Sequence, residues 1–128
     1  MKIYVIKPNS LHPDAMFYLK EKAQKTKGVT HILENQSGPA YDASMINRCD
    51  ALYAAVGIER SIGKGVFGEI EQAQNRKIPV KVFEYNQITK ELAEIKNFKT
   101  VCTDENNFRQ YGKIEGNAVN ENEEEILL

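Results

Sequence analysis

Residues 51–56 read ALYAAV, six apolar residues in succession. A strand with one face in water alternates apolar and polar side chains. An unbroken apolar run of this length marks a strand buried on both faces, as in the middle of a parallel sheet. Parallel neighbours cannot be joined by tight hairpins, so each needs a crossover, usually a helix. The rest of the chain carries such a pattern. Residues 2–7 (KIYVIK) predict a first strand, stopped by Pro8-Asn9-Ser10. Pro13 and Asp14 open a helix to about residue 27, with Ala15, Met16, Leu19 and Ala23 at helical spacing. Residues 29–33 predict a second strand, 41–48 a short helix, 66–76 a helix and 80–83 a strand. Beyond these, helical spacing over 88–96, a strand at 99–102 and a last helical turn at 107–111 complete the reading.

With 128 residues the chain makes one domain. Strands alternating with helices predict an α/β fold, a three-layer sandwich around a four- to five-stranded, mainly parallel sheet. In such sheets ligands bind beyond the carboxyl ends of the strands, where neighbouring crossovers leave to opposite faces. That edge selects the loops at 7–10, 33–39 and 57–65.

Charge narrows the function. There are 17 Lys and Arg against 18 Asp and Glu, a net charge of −1. This near-neutral balance disfavours polymeric nucleic acid as a partner. The average hides an asymmetry: residues 1–113 carry +4, and the Asn- and Glu-rich stretch 114–128 carries −5. The expectation is a single domain over 1–113 and an acidic, disordered, solubilising tail over 114–128; the alternative is that its final Ile126-Leu127-Leu128 docks on a neighbouring subunit. The longest apolar run, 51–58, is far below the roughly 18 residues of a membrane span. No signal peptide is legible before the first strand. Cys49 and Cys102 lack CxxC spacing and read as buried thiols of a cytoplasmic protein, and Asn35-Gln36-Ser37 reads as a chance sequon. His12 and His31 have no metal-ligand spacing, so neither a metal nor a cofactor is expected.

Half of the chain's eight glycines, Gly57, Gly63, Gly65 and Gly68, lie within twelve residues. Gly63 and Gly65 are expected to supply positive φ and close backbone approach, and N–H groups at the following helix start attract an anion. Arg60, Ser61 and Lys64 add charge and a hydroxyl, and Asn9 lies on the loop after the first strand. The loop is not a Walker loop. Its GKGVFG string fits G-x-G-x-x-G only in letters, because it follows the third strand and no acidic residue stands about twenty positions on. Glu69 is expected in the first turn of the next helix, where the dipole favours an acid. Gly68 beside it costs about 1 kcal/mol relative to Ala in a helix, so close approach of something to that helix start would explain it. Tyr53 and Phe67 read as core, with Phe67 also near the proposed pocket.

KIYVIKP, CDALYAAV, SIGKGVFGEIEQA and KIPVKVF, spanning about residues 2–83, resemble the nucleoside 2-deoxyribosyltransferase-like group. That group includes 2′-deoxynucleoside 5′-phosphate N-hydrolases and belongs with the Rossmann-like nucleotide-processing proteins. The resemblance implies that Glu69, within E-[IL]-x-x-A, is the nucleophile. Asp50 would hold the sugar or help protonate the leaving base, and Tyr4 would lie near the site. Ser61 and the N–H groups of 63–66 would bind a 5′ group, with Lys64 and Arg60 favouring a phosphate. Two departures stand out: three residues separate Gly65 from Glu69 where the hydrolase pattern has one, and Glu71 replaces a glycine. The implied activity is cleavage or transfer at the N-glycosidic bond of a nucleoside or nucleotide by a homo-oligomer. The alternative is a non-catalytic module that binds a nucleotide or a nucleotide-derived signal. A phosphoribohydrolase of the lysine-decarboxylase-like group ranks lower, since its P-G-G-x-G-T-x-x-E is absent.

Overall fold

The computed structural model describes residues 1–34, 43–104 and 109–118. The loop expected after residue 34, the sequon and the chain from 119 onward, including Ile126-Leu127-Leu128, lie outside the described residues. The elements follow in the order β1 (Lys2–Ile6), α1 (Asp14–Gln24), β2 (His31–Leu33), α2 (Ala43–Arg48), β3 (Ala51–Val56) and β4 (Ser61–Ile62). They continue with α3 (Lys64–Asn75), β5 (Val80–Asn86), β6 (Glu91–Ile95), β7 (Phe98–Asp104) and β8 (Arg109–Gly116). The fold is α/β, with a five-stranded sheet in the order β2-β1-β3-β5-β6 and a three-stranded sheet in the order β4-β7-β8.

β3 lies at the centre of the larger sheet and all six of its residues are buried, as the unbroken run predicts. Side chains alternate across this sheet with period two. Tyr4, Ile6, Leu52, Ala54, Val56, Val80 and Val82 pack with Ile46 of α2 and Val66, Ile70 and Ala73 of α3. Ile3, Val5, Ala51, Tyr53, Ala55, Phe83 and Tyr85 pack on the other face with Ala15, Leu19 and Ala23 of α1.

Both sheets are mixed, which corrects the expectation of one mainly parallel sheet. β5 and β6 pair antiparallel, from Val82↔Ile95 to Asn86↔Glu91. The helix expected over 88–96 does not form because Asn86 closes a turn instead. Its side-chain Oδ1 accepts the N–H groups of Ile88 and Thr89 at 2.9 and 3.2 Å, and its carbonyl accepts Lys90 N–H at 2.7 Å. Such Asx geometry competes directly with helix initiation. The helical turn expected at 107–111 is likewise replaced: the chain from Arg109 belongs to β8, and 107–108 lie outside the described residues.

β7 and β8 pair antiparallel, with a bulge between Cys102 and Thr103, and β4 joins β7 in parallel. Contacts of α3 with β3 and β5 on one side and with β7 and β8 on the other place it between the two sheets. This second sheet lies outside the expectation of a three-layer sandwich around one sheet. It also moves the boundary of the expected tail. Ile114 is buried on β8 in the same core as Phe98 and Ile62, so residues 114–116 are part of the fold.

Packing where β8 meets α3 is tight. A Cβ on Gly116 would lie 2.5 Å from Gln74 Nε2 and 2.7 Å from Phe98 Cζ, and Gln74 already donates to Glu115 O at 3.1 Å. Gln74 is flexible, but the Phe98 ring is buried and has little room to retreat. Gly116→Ala is expected to destabilise the protein by about 1–3 kcal/mol, read from urea midpoints. An unchanged midpoint would mean the ring moves freely.

Candidate functional site

After β1 the chain crosses to α1 on one face of the large sheet, and after β3 it crosses to α3 on the other. β1 and β3 are neighbours, so their carboxyl ends form the topological switch point at which ligands bind in sheets of this kind. Two distinct features lie near it.

The first is a buried pair. Glu69 is 1% exposed and Tyr4 is 0% exposed, and the Tyr4 hydroxyl donates to Glu69 Oε1 at 2.5 Å. The bond joins residues 65 apart in sequence. Because α3 begins at Lys64, Glu69 lies in its second turn and not the first, which removes the helix-start reading of the acid. Val66, Glu69, Ile70 and Ala73 form the buried stripe of α3. Placing a carboxylate in such a stripe is costly unless hydrogen bonds compensate, and the short bond from Tyr4 is of the charge-assisted kind. The sequence held the signal, an acid at i+3 within an apolar i, i+4, i+7 series.

The second feature is a cavity of about 410 Å³ on the α1 side of the carboxyl edge. Its walls come from the loop after β1 (Ser10, Leu11), the turn after β3 (Ile58, Glu59) and the turn after β5 (Gln87, Ile88), with Ser61 at the start of β4. Sequence reasoning selected the first two loops. It does not select Gln87 or Ile88, because a helix expected from residue 88 leaves no ligand-edge turn after β5.

The other expected site residues disperse. Asp50 is exposed at the amino end of β3, the end opposite the turn at 57–60, so it does not reach the ligand edge. Its Oδ2 accepts Lys2 N–H at 2.7 Å, and its own N–H donates to Lys2 O at 2.7 Å, which extends the β1–β3 ladder. A sugar-holding or acid role for Asp50 is therefore not carried further. Arg60 sits at φ 59° and its guanidinium donates from Nε to Glu84 Oε2 at 3.1 Å. Lys64 is exposed at the start of α3 with its ammonium 5.7 Å from the Tyr111 ring centre. Gly63 caps α3 in extended conformation, φ −77° and ψ 171°, and Gly65 follows within the helix. Among the described glycines only Gly28 has positive φ, so the expected positive-φ cradle does not form. Asn9 is exposed beside Ser10. Tyr53 and Phe67 pack in the cores, Tyr53 with its hydroxyl 2.8 Å from Thr26 Oγ1.

Among the described residues no cluster of three or more His, Cys, Asp or Glu is arranged to hold a metal ion, and no helix is long and apolar enough to cross a membrane. Cys49 and Cys102 are both buried. Burial pushes the Cys49 thiol up to about 11 from an ordinary 9.0. Its thiolate is thus scarce at pH 8, and iodoacetamide labelling of Cys49 is expected to be about a hundredfold slower in the native protein than in guanidinium. Equal rates would contradict the burial. The sign for stability follows: between about pH 9 and 11 the unfolded chain loses this proton and the folded one keeps it, so stability falls as pH rises through that window.

No protein-family model, curated protein or solved structure matches the chain.

Proposed function

We propose that the chain cleaves or transfers at the N-glycosidic bond of a nucleoside, deoxynucleoside or nucleoside 5′-phosphate, with Glu69 as the nucleophile. The observation that carries this reading is the Tyr4–Glu69 pair: a carboxylate retained in an apolar helix stripe and oriented by a hydroxyl at 2.5 Å. Buried acids held by a specific hydrogen bond in this way concentrate at functional sites. The reading agrees with the resemblance, which puts a strand tyrosine beside a helix glutamate. Glu69 attacks C1′ through one carboxylate oxygen as the C1′–N bond breaks, the departing base keeps the bonding pair and takes a proton from solvent, and a glycosyl-enzyme results; water, giving its proton back to solvent, or a second base then displaces the glutamate. Tyr4 fixes Oε1 and so aims the carboxylate. Asp50 has no part.

The strand order around β1 and β3 supports reading the larger sheet as flavodoxin-like, and two buried cysteines fit a cytoplasmic setting. A homo-oligomer follows from the resemblance alone and is read by gel filtration. The test of activity is direct. Full-length protein is incubated with deoxynucleosides, ribonucleosides and their 5′-monophosphates, and free base is followed by chromatography. Release of base supports the reading; none from any substrate overturns it.

A second reading rests on a separate observation. Glu69 is 1% exposed, while the cavity at the switch point has Glu69 nowhere in its lining. A sensor or sequestering module would bind there without turnover. A thermal shift with ligand and no released base selects this alternative.

A further inference from the structure

The cavity at the switch point has a charge pattern that the glycine-rich loop did not suggest. Among the described residues Glu59 is its one charged lining residue, and no lysine or arginine is among them. The cations of the two neighbouring loops are committed elsewhere. Lys7 Nζ donates to Pro8 O at 3.3 Å and to Leu11 O at 3.1 Å, which braces the loop after β1 from behind. Arg60 is turned to Glu84. Among the described residues no cation pairs with Glu59. A phosphate entering here would meet the exposed Glu59 carboxylate and no compensating charge among the described residues, and like charges at short range repel.

The remaining lining is mixed. Leu11, Ile58 and Ile88 offer apolar surface, and Ser10, Ser61 and Gln87 offer hydroxyl and amide groups. Ile58 is 59% exposed and Ile88 is 89% exposed, so the rim presents two large aliphatic side chains to water. A ligand with a flat apolar face would cover them. A volume of about 410 Å³ falls in the range of roughly 300–1,000 Å³ typical of small-molecule sites.

We infer that this cavity, separate from the Tyr4–Glu69 pair, binds an uncharged ligand of nucleoside size and excludes its phosphorylated form, with Glu59 as the residue that sets the discrimination. The nucleoside scale of the ligand rests on the proposed function; the charge selectivity rests on the lining. Leu11, Ile58 and Ile88 cover the ligand's apolar face, and Ser10, Ser61 and Gln87 meet its polar edge.

The test uses the full chain carrying Glu69→Gln, so that turnover cannot consume the probe. Adenosine and thymidine, and their 5′-monophosphates, are titrated by calorimetry. The expected result is that one or both nucleosides bind at least tenfold more tightly than the matching monophosphate. Glu59→Lys is expected to narrow that ratio at least tenfold by improving the monophosphate. Ser10→Trp, on an exposed loop, is expected to abolish nucleoside binding. The inference is overturned if neither nucleoside binds, if the monophosphate binds as tightly, if Glu59→Lys leaves the ratio unchanged, or if Ser10→Trp leaves binding intact. Circular dichroism of each variant confirms folding, and Ser10→Phe replaces Ser10→Trp if the latter unfolds. Base release by the unmutated chain is scored separately. Its absence would sink the catalytic proposal, whereas the charge selectivity of the cavity is decided by the titration alone.

Discussion

Glu69→Gln is expected to lower base release by more than about a thousandfold, the scale seen when a nucleophile is removed, while the protein stays folded. Glutamine has nearly the shape of glutamate and keeps a carbonyl oxygen for the Tyr4 hydroxyl. It lacks the charge that attacks C1′. The substitution also removes a buried charge, so stability should hold or rise slightly. Tyr4→Phe acts in the opposite sense. It deletes the donor at 2.5 Å and leaves the carboxylate in the apolar stripe without that bond, a cost of about 1–3 kcal/mol. Combining the two should cost less than the sum of the single changes, because the phenylalanine then faces a neutral amide. Urea unfolding of the four proteins, alongside chromatography of released base, separates stability from chemistry. Full activity in Glu69→Gln would remove the nucleophile from the proposal.

Ile114→Ala is expected to cost about 2–4 kcal/mol, in the usual range for truncating a buried isoleucine, and to lower Tm by roughly 10 °C. Ile114 is 4% exposed, pairs with Thr100 across β7–β8, and shares a core with Ile62 and Phe98. The neighbouring Glu115 provides the control. Its side chain is 64% exposed and meets Lys99 Nζ at 3.2 Å, so Glu115→Ala should change stability by less than about 1 kcal/mol. Thermal melts of both variants suffice. Equal, small effects would place residue 114 outside the core, as the acidic composition after it first implied.

These two outcomes mark the boundary between what was legible and what was not. β1, α1, β3 and α3 follow from local pattern, since each carries its own period and its own stop signals. The burial of Glu69 was legible too, as the one acid in the stripe of Val66, Ile70 and Ala73, although the dipole at a helix start offered an easier account. Asp50 was misplaced for a topological reason. Standing before β3, it belongs to the amino edge of a parallel sheet, whereas ligand groups come from the loops after the strands. Ile88, Leu92 and Ile95 fall at spacings a helix also uses, and what selects a strand is a turn closed by Asn86 and a partner, β5, to pair with.

From its residues alone this chain had to build a strand buried on both faces and helices to cover it, because ALYAAV admits no wet face. Period-two alternation then assigned each neighbouring side chain to one core or the other. Tertiary structure decided the rest: that β7 and β8 form a second sheet over α3, that Tyr4 meets Glu69 across 65 residues, and that Lys7 and Arg60 turn away from the cavity while Glu59 lines it. Each of these depends on groups distant in sequence meeting in space. Pairing, burial and charge environment are properties of those meetings, and no local pattern encodes them.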